Sequence, residues 1–103
     1  MNKSKKNSQD QLNVMRKIRQ KPNLSQRDLA LELGFSLGKL NYCLKELKIK
    51  GFVKMNNFKK NKNKMKYIYV LTPGGIAAKT KLTINFMKRK MQEYDELKKE
   101  INS

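Results

Sequence analysis

The fold class this 103-residue sequence predicts is mainly α with a small β-hairpin, in the order α-α-α-β-β-α with a long last helix. Three observations carry that expectation. Residues 25–51 read as two helices joined by a turn of a few residues, the second backed by Leu37, Leu40, Leu44 and Leu47 at spacings of 3, 4 and 3. Two extended runs, at 52–55 and 66–71, flank a lysine-rich connection. After Thr72-Pro73, apolar residues then recur at helical spacing almost to the end of the chain.

The first eight residues are polar, basic and without periodicity, which predicts a disordered arm over 1–8. Between residues 9 and 20, Leu12, Val14, Met15 and Ile18 gather near one helical face, with Arg16, Lys17 and Arg19 opposite. Pro22 ends that helix because its ring removes a donor and crowds the preceding turn. Ser25 is a good N-cap, with Asp28 three residues on in the place of a capping box. Leu29, Ala30 and Leu33 form the inner stripe of the second helix, and Gly34 supplies the left-handed residue that closes it. Ser36 caps the third helix and Gly51 stops it.

The segment between the extended runs, NNFKKNKNKM, predicts a hairpin with a long basic tip, a wing, carrying Lys59, Lys60, Lys62 and Lys64. Thr72 and Pro73 then open the last helix by cap and first-turn proline. From Ile84 its apolar positions, Ile84, Met87, Met91, Tyr94, Leu97 and Ile101, keep a 3-4-3-3-4 rhythm. Such a helix, roughly 40 Å long at about 1.5 Å per residue, cannot bury its far half against so small a domain. The stripe is expected to meet another copy of itself in a coiled-coil-like arm. The domain plan is thus an arm at 1–8, a winged helix-turn-helix domain at 9–72 and a dimerisation arm at 73–103.

Charge narrows the function. Lys and Arg total 25 against 8 acids, a net of +17. Residues 1–72 hold 18 basic and 4 acidic side chains, a net of +14, so the excess travels with the helix pair and the hairpin. A polyanionic partner follows, and duplex DNA suits a helix pair of this shape. One cysteine and no histidine give neither a disulfide nor a metal cluster, and no cofactor is expected. There is no glycine-rich phosphate loop and no nucleophile motif, so an enzyme is not expected. No run of about 18 apolar residues exists to cross a membrane, which favours a cytoplasmic, nucleoid-associated protein. Two rival classes share some of these features. One is an RNA- or nucleoprotein-binding module, for which Tyr67 and Tyr69 lie on one face of a strand. The other is a protein-interaction adaptor built on the last helix.

With the four leucines inward, the third helix turns Gly38, Lys39, Asn41, Tyr42 and Lys45 outward. Asn can pair bidentately with adenine, and Lys can donate to guanine or phosphate. Tyr42 can lay its ring on sugar or a thymine methyl, and Gly38 lets the backbone come close. Ser25, Gln26 and Arg27 begin the second helix and Ser36 the third, where free N–H groups favour phosphate. Cys43 falls on or near the inner face and reads as a small core residue.

The run from Leu24 to Leu71, with LSQRDLA, LGFSLGKLNYCL and KGFVK, resembles the DNA-binding half of MarR-type regulators. The closing LTPGGIA followed by FMKRKMQEY is similar to the short MarR-like regulators associated with exopolysaccharide gene clusters. That resemblance implies a winged helix-turn-helix fold. A dimer through the last helix would set each third helix in successive major grooves, about 10 bp apart, on a pseudo-palindromic DNA site. The larger members add a longer helical dimerisation region, with an effector pocket beneath it. Here each end offers one helix, so no small-molecule effector is expected.

Overall fold

The computed structural model describes residues 2–61 and 64–103, and the side chains of residues 6–57 and 67–103. Its elements are α1 (Asn2–Gln20), α2 (Gln26–Leu33), α3 (Leu37–Ile49), β1 (Val53–Asn61), β2 (Lys64–Leu71) and α4 (Pro73–Asn102). The fold is mainly α with a two-stranded antiparallel hairpin, as the sequence predicts.

The core is the meeting of three helices and the root of the hairpin. Val14, Met15 and Ile18 of α1 pack with Leu29 and Ala30 of α2 and with Leu40, Cys43, Leu44 and Leu47 of α3. Val53 closes it from β1. Burying an aliphatic side chain of this size contributes about 1.5–3 kcal/mol. The cluster therefore fixes the angle between α2 and α3 more firmly than any cap does.

The caps form as expected, and each does its local work. The Ser25 hydroxyl accepts from the Asp28 N–H at 3.2 Å and that of Ser36 from Lys39 at 3.1 Å. Gly34 takes φ 70°, so the Phe35 N–H can reach back to the Ala30 carbonyl at 2.9 Å. Gly51, at φ 75°, does the same for α3, where the Phe52 N–H meets the Leu47 carbonyl at 2.9 Å. Both ends are closures that a side chain at the glycine would strain.

Three expectations are corrected. Residues 2–8, read as an irregular arm, are helical and belong to α1. No glycine or proline interrupts the chain before Pro22, and lysine is a good helix former, so the amphipathic segment propagates backward. The basic connection of the hairpin is not a long loop, since the strands run on to Asn61 and Lys64 with a register shift between Lys59 and Asn61. Leu37, placed in the buried stripe, is 47% exposed. Cys43 takes its place inside, because the inner face of α3 is centred on Leu40, Cys43, Leu44 and Leu47.

α4 is docked at its start and free at its end. The Thr72 hydroxyl accepts from the Gly75 N–H at 3.0 Å and donates to the Gly51 carbonyl at 2.5 Å, tying α4 to the exit of α3. Leu82 is the last of its residues to pack against the core. Beyond it the helix carries on as a rod, and the molecule measures 66 × 25 × 24 Å.

Candidate nucleic-acid interface

Opposite its buried face, α3 presents a stripe that none of the described residues covers. Gly38, Asn41, Tyr42 and Lys45 are all exposed, Tyr42 at 54%. On a helix of 3.6 residues per turn they fall on one side, directly away from Leu40 and Leu47. A Cβ added at Gly38 would meet nothing within 4 Å, so protein packing does not demand glycine there.

Lys39 is placed differently. Its ammonium lies 3.4 Å from an Asp10 carboxylate oxygen of α1 and 4.1 Å above the Phe35 ring. The position is on the flank of α3 nearest α1, so its charge is engaged within the chain. The sequence could not reveal this, because Asp10 is distant in the chain and comes close only when α1 packs across α3.

Ser25 and Gln26 are half-buried, whereas Arg27 and Ser36 are exposed. Both serine oxygens already accept a cap bond, which leaves each hydroxyl hydrogen free to donate to a phosphate. Lys59, Lys60 and Lys64 lie on the strands, while their side chains, and all of Lys62, lie outside the described residues. Leu37 is the residue that sequence reasoning missed. It sits beside Ser36 at the start of α3, on the flank shared with Asn41, where an apolar group can meet a thymine methyl.

The remaining chemistry is quiet. Cys43 is buried, and burial, followed by the nearby Asp10 carboxylate, pushes its thiol up against an opposing pull from Lys39. Tyr69 is packed against the core, and burial pushes its hydroxyl up too, so of the two tyrosines on that strand face Tyr67 is the exposed one. Two neighbouring aromatics free to stack bases, which the RNA reading requires, are therefore not present on β2. Among the described residues no group of His, Cys, Asp and Glu could hold a metal, and no helix is long and apolar enough to cross a membrane.

Residues 11–54, from the middle of α1 to the start of β1, match the family model of the winged helix-turn-helix DNA-binding domain. The backbone as a whole is similar to solved MarR-family structures. The chain has a MarR-like winged helix-turn-helix fold. It superposes on the PcaV transcriptional regulator of Streptomyces coelicolor, solved with its natural ligand, with a TM-score of 0.67 at 13% identity. That match covers 91% of this chain and 74% of PcaV. Against the MepR–DNA complex of S. aureus the TM-score is 0.66 at 17% identity, over 90% of this chain and 72% of MepR. Against the Streptococcus pneumoniae FabT–DNA complex it is 0.63 at 18% identity, over 84% and 59%. No curated protein sequence matches the chain. In this fold α3 is the second helix of the helix-turn-helix and the hairpin is the wing, and the family model and the PcaV neighbour are those of DNA-binding and transcription-regulator proteins.

Proposed function

We propose that the protein is a transcription regulator that binds duplex DNA as a homodimer. The observation that supports this most is the uncovered polar face of α3, set opposite a fully buried leucine face in a chain of net charge +17. In this reading α3 enters the major groove with Asn41, Tyr42 and Lys45 toward base edges, and Gly38 lets the backbone approach. Ser25, Gln26, Arg27 and Ser36 hold the flanking phosphates, and Lys59, Lys60, Lys62 and Lys64 carry the wing to the adjacent backbone or minor groove. Lys39 serves as a brace between α1 and α3 and only secondarily as a DNA contact.

The dimer half of the proposal rests on α4. Ile84, Met87, Met91, Tyr94, Leu97 and Ile101 are between 47% and 83% exposed along one helix. A soluble chain rarely leaves such a stripe bare. Two copies joined there would place two recognition helices on successive major grooves, about 34 Å apart, on a pseudo-palindromic site. Occlusion of a promoter, and so repression, is the simplest outcome of such binding. The link to exopolysaccharide gene clusters is carried by the similarity of the α4 sequence.

The test is fluorescence anisotropy with three probes: the duplex selected from random sequence, a scrambled duplex and a single-stranded RNA. A selected inverted repeat bound at least about 10³-fold more tightly than the scrambled duplex supports the reading. Equal binding to the RNA would replace it with the nucleoprotein alternative. Asn41→Ala should lose discrimination worth about 1–3 kcal/mol at one base position. Lys45→Ala should weaken both duplexes alike.

A further inference from the structure

We infer that α4 pairs with its copy in the antiparallel sense, with the two-fold axis passing between residues 92 and 93. This rests on the reading of α4 as the dimer arm and adds the orientation of that arm. The apolar stripe is nearly symmetric about this point. Met91 and Tyr94 straddle it, and so do Ile84 and Ile101. Reversing the helix therefore lays Ile84 against the partner copy's residue 101 and Met91 against its residue 94.

Charge selects the same direction. The arm has a basic block, Lys88–Arg89–Lys90, followed by an acidic block of Glu93, Asp95 and Glu96. All are on the exposed rod, and within one helix only Lys90 and Glu93 pair, at 3.3 Å. In a parallel pair the flanks could also match, Lys90 with Asp95 of the other copy, so the direction is decided in the seam. Continuing the 3-4 rhythm from Tyr94 also brings Lys98 into the seam, where a parallel pair would set two ammonium groups face to face. In the antiparallel pair Lys98 lies opposite Met87 of the other copy, and the two Lys98 are separated by roughly 16 Å along the axis at about 1.5 Å per residue. Lys88 and Asp95 then occupy the flank that faces itself across the seam, and they meet as opposite charges. The rod carries its two DNA-binding lobes at opposite ends.

Cysteine cross-linking tests the orientation in the full-length chain, with wild type as control because Cys43 is buried. Sedimentation should show a dimer. Under mild oxidation Ile84→Cys and Ile101→Cys should each stay uncoupled alone and should join to each other when the two variants are mixed and re-equilibrated. Self-coupling of Ile84→Cys within a dimer would establish a parallel pair and overturn the inference while leaving the dimer standing. A dimer with no coupling in the mixture would overturn the register. A monomer would sink this inference and the dimer reading together, with DNA binding judged separately. Charge swaps give a second measure. Asp95→Lys should raise the dimer Kd about tenfold, the combined effect of two symmetric surface pairs made repulsive. Adding Lys88→Glu should restore it, whereas rescue by Lys90→Glu instead would indicate the parallel arrangement.

Discussion

Lys39 of α3 is held 3.4 Å from Asp10 of α1, so a residue expected to contact DNA from its position along the helix is turned toward the protein. The pair is half-sheltered, with the Asp10 side chain 15% and the Lys39 side chain 38% exposed. Asp10→Asn should release the ammonium. Duplex affinity is then expected to rise at low salt, and the plot of log affinity against log salt to steepen by about 0.9, the increment of one more phosphate contact. Anisotropy titrations over a salt series measure it. An unchanged slope would mean that Lys39 cannot reach the backbone even when free.

Gly75 is the one buried residue of α4, and it lies against the backbone of Phe52. A Cβ there would overlap the Phe52 carbonyl, which also accepts from the Thr72 N–H at 3.0 Å. Neither backbone can yield without undoing the tie between β1 and the start of α4. Gly75→Ala is therefore expected to destabilise by about 3 kcal/mol, at the upper end of overpacking costs. Gly74→Ala is the control, because its Cβ would sit 3.7 Å from its nearest neighbours, an ordinary contact. Thermal unfolding followed by circular dichroism should separate the two clearly.

What the sequence made legible was whatever depends on local chemistry. Ser25, Ser36, Thr72, Gly34 and Gly51 each cap or close the helix expected of them, because a cap needs only its own few residues. The inward leucines of α3 were readable from their period, with Leu37 the exception at the helix start, where the stripe runs out of partners. The exposed set of Asn41, Tyr42 and Lys45 followed from the same period. The internal engagement of Lys39 was not legible, since it depends on the crossing of α1 over α3. Nor was the helical state of residues 2–8, where polar composition suggested disorder and helix propagation decided otherwise.

Glu32 ties α2 to Lys17 of α1 at 3.6 Å and to Lys21, just past the end of α1, at 2.7 Å. The hydrogen bond from Lys21, then its charge, hold the Glu32 carboxyl below its ordinary value, with a smaller pull from Lys17. A carboxylate whose folded value is depressed contributes stability above its unfolded value and loses it as pH falls through the folded one. Glu32→Gln should thus lower the Tm slightly at neutral pH, with the difference from wild type closing as pH drops through the acid carboxylate range. The site is open to solvent, so high salt at neutral pH should shrink the difference as well. A gap that persists in acid would assign the effect to packing instead of charge.

Gly38 separates the demands of folding from those of binding. It is in the first turn of α3, φ is not positive, and an added methyl would meet open space. Glycine within a helix costs about 0.5–1 kcal/mol relative to alanine, so Gly38→Ala is expected to raise the stability of the free protein by up to that amount. If α3 lies against base edges at this turn, the same methyl holds the backbone away from the groove. The variant should then bind the selected duplex several-fold more weakly while melting at a higher temperature. Melting curves and anisotropy on one preparation measure both. A more stable variant with undiminished affinity would move the point of closest approach along α3 toward Asn41 and Lys45.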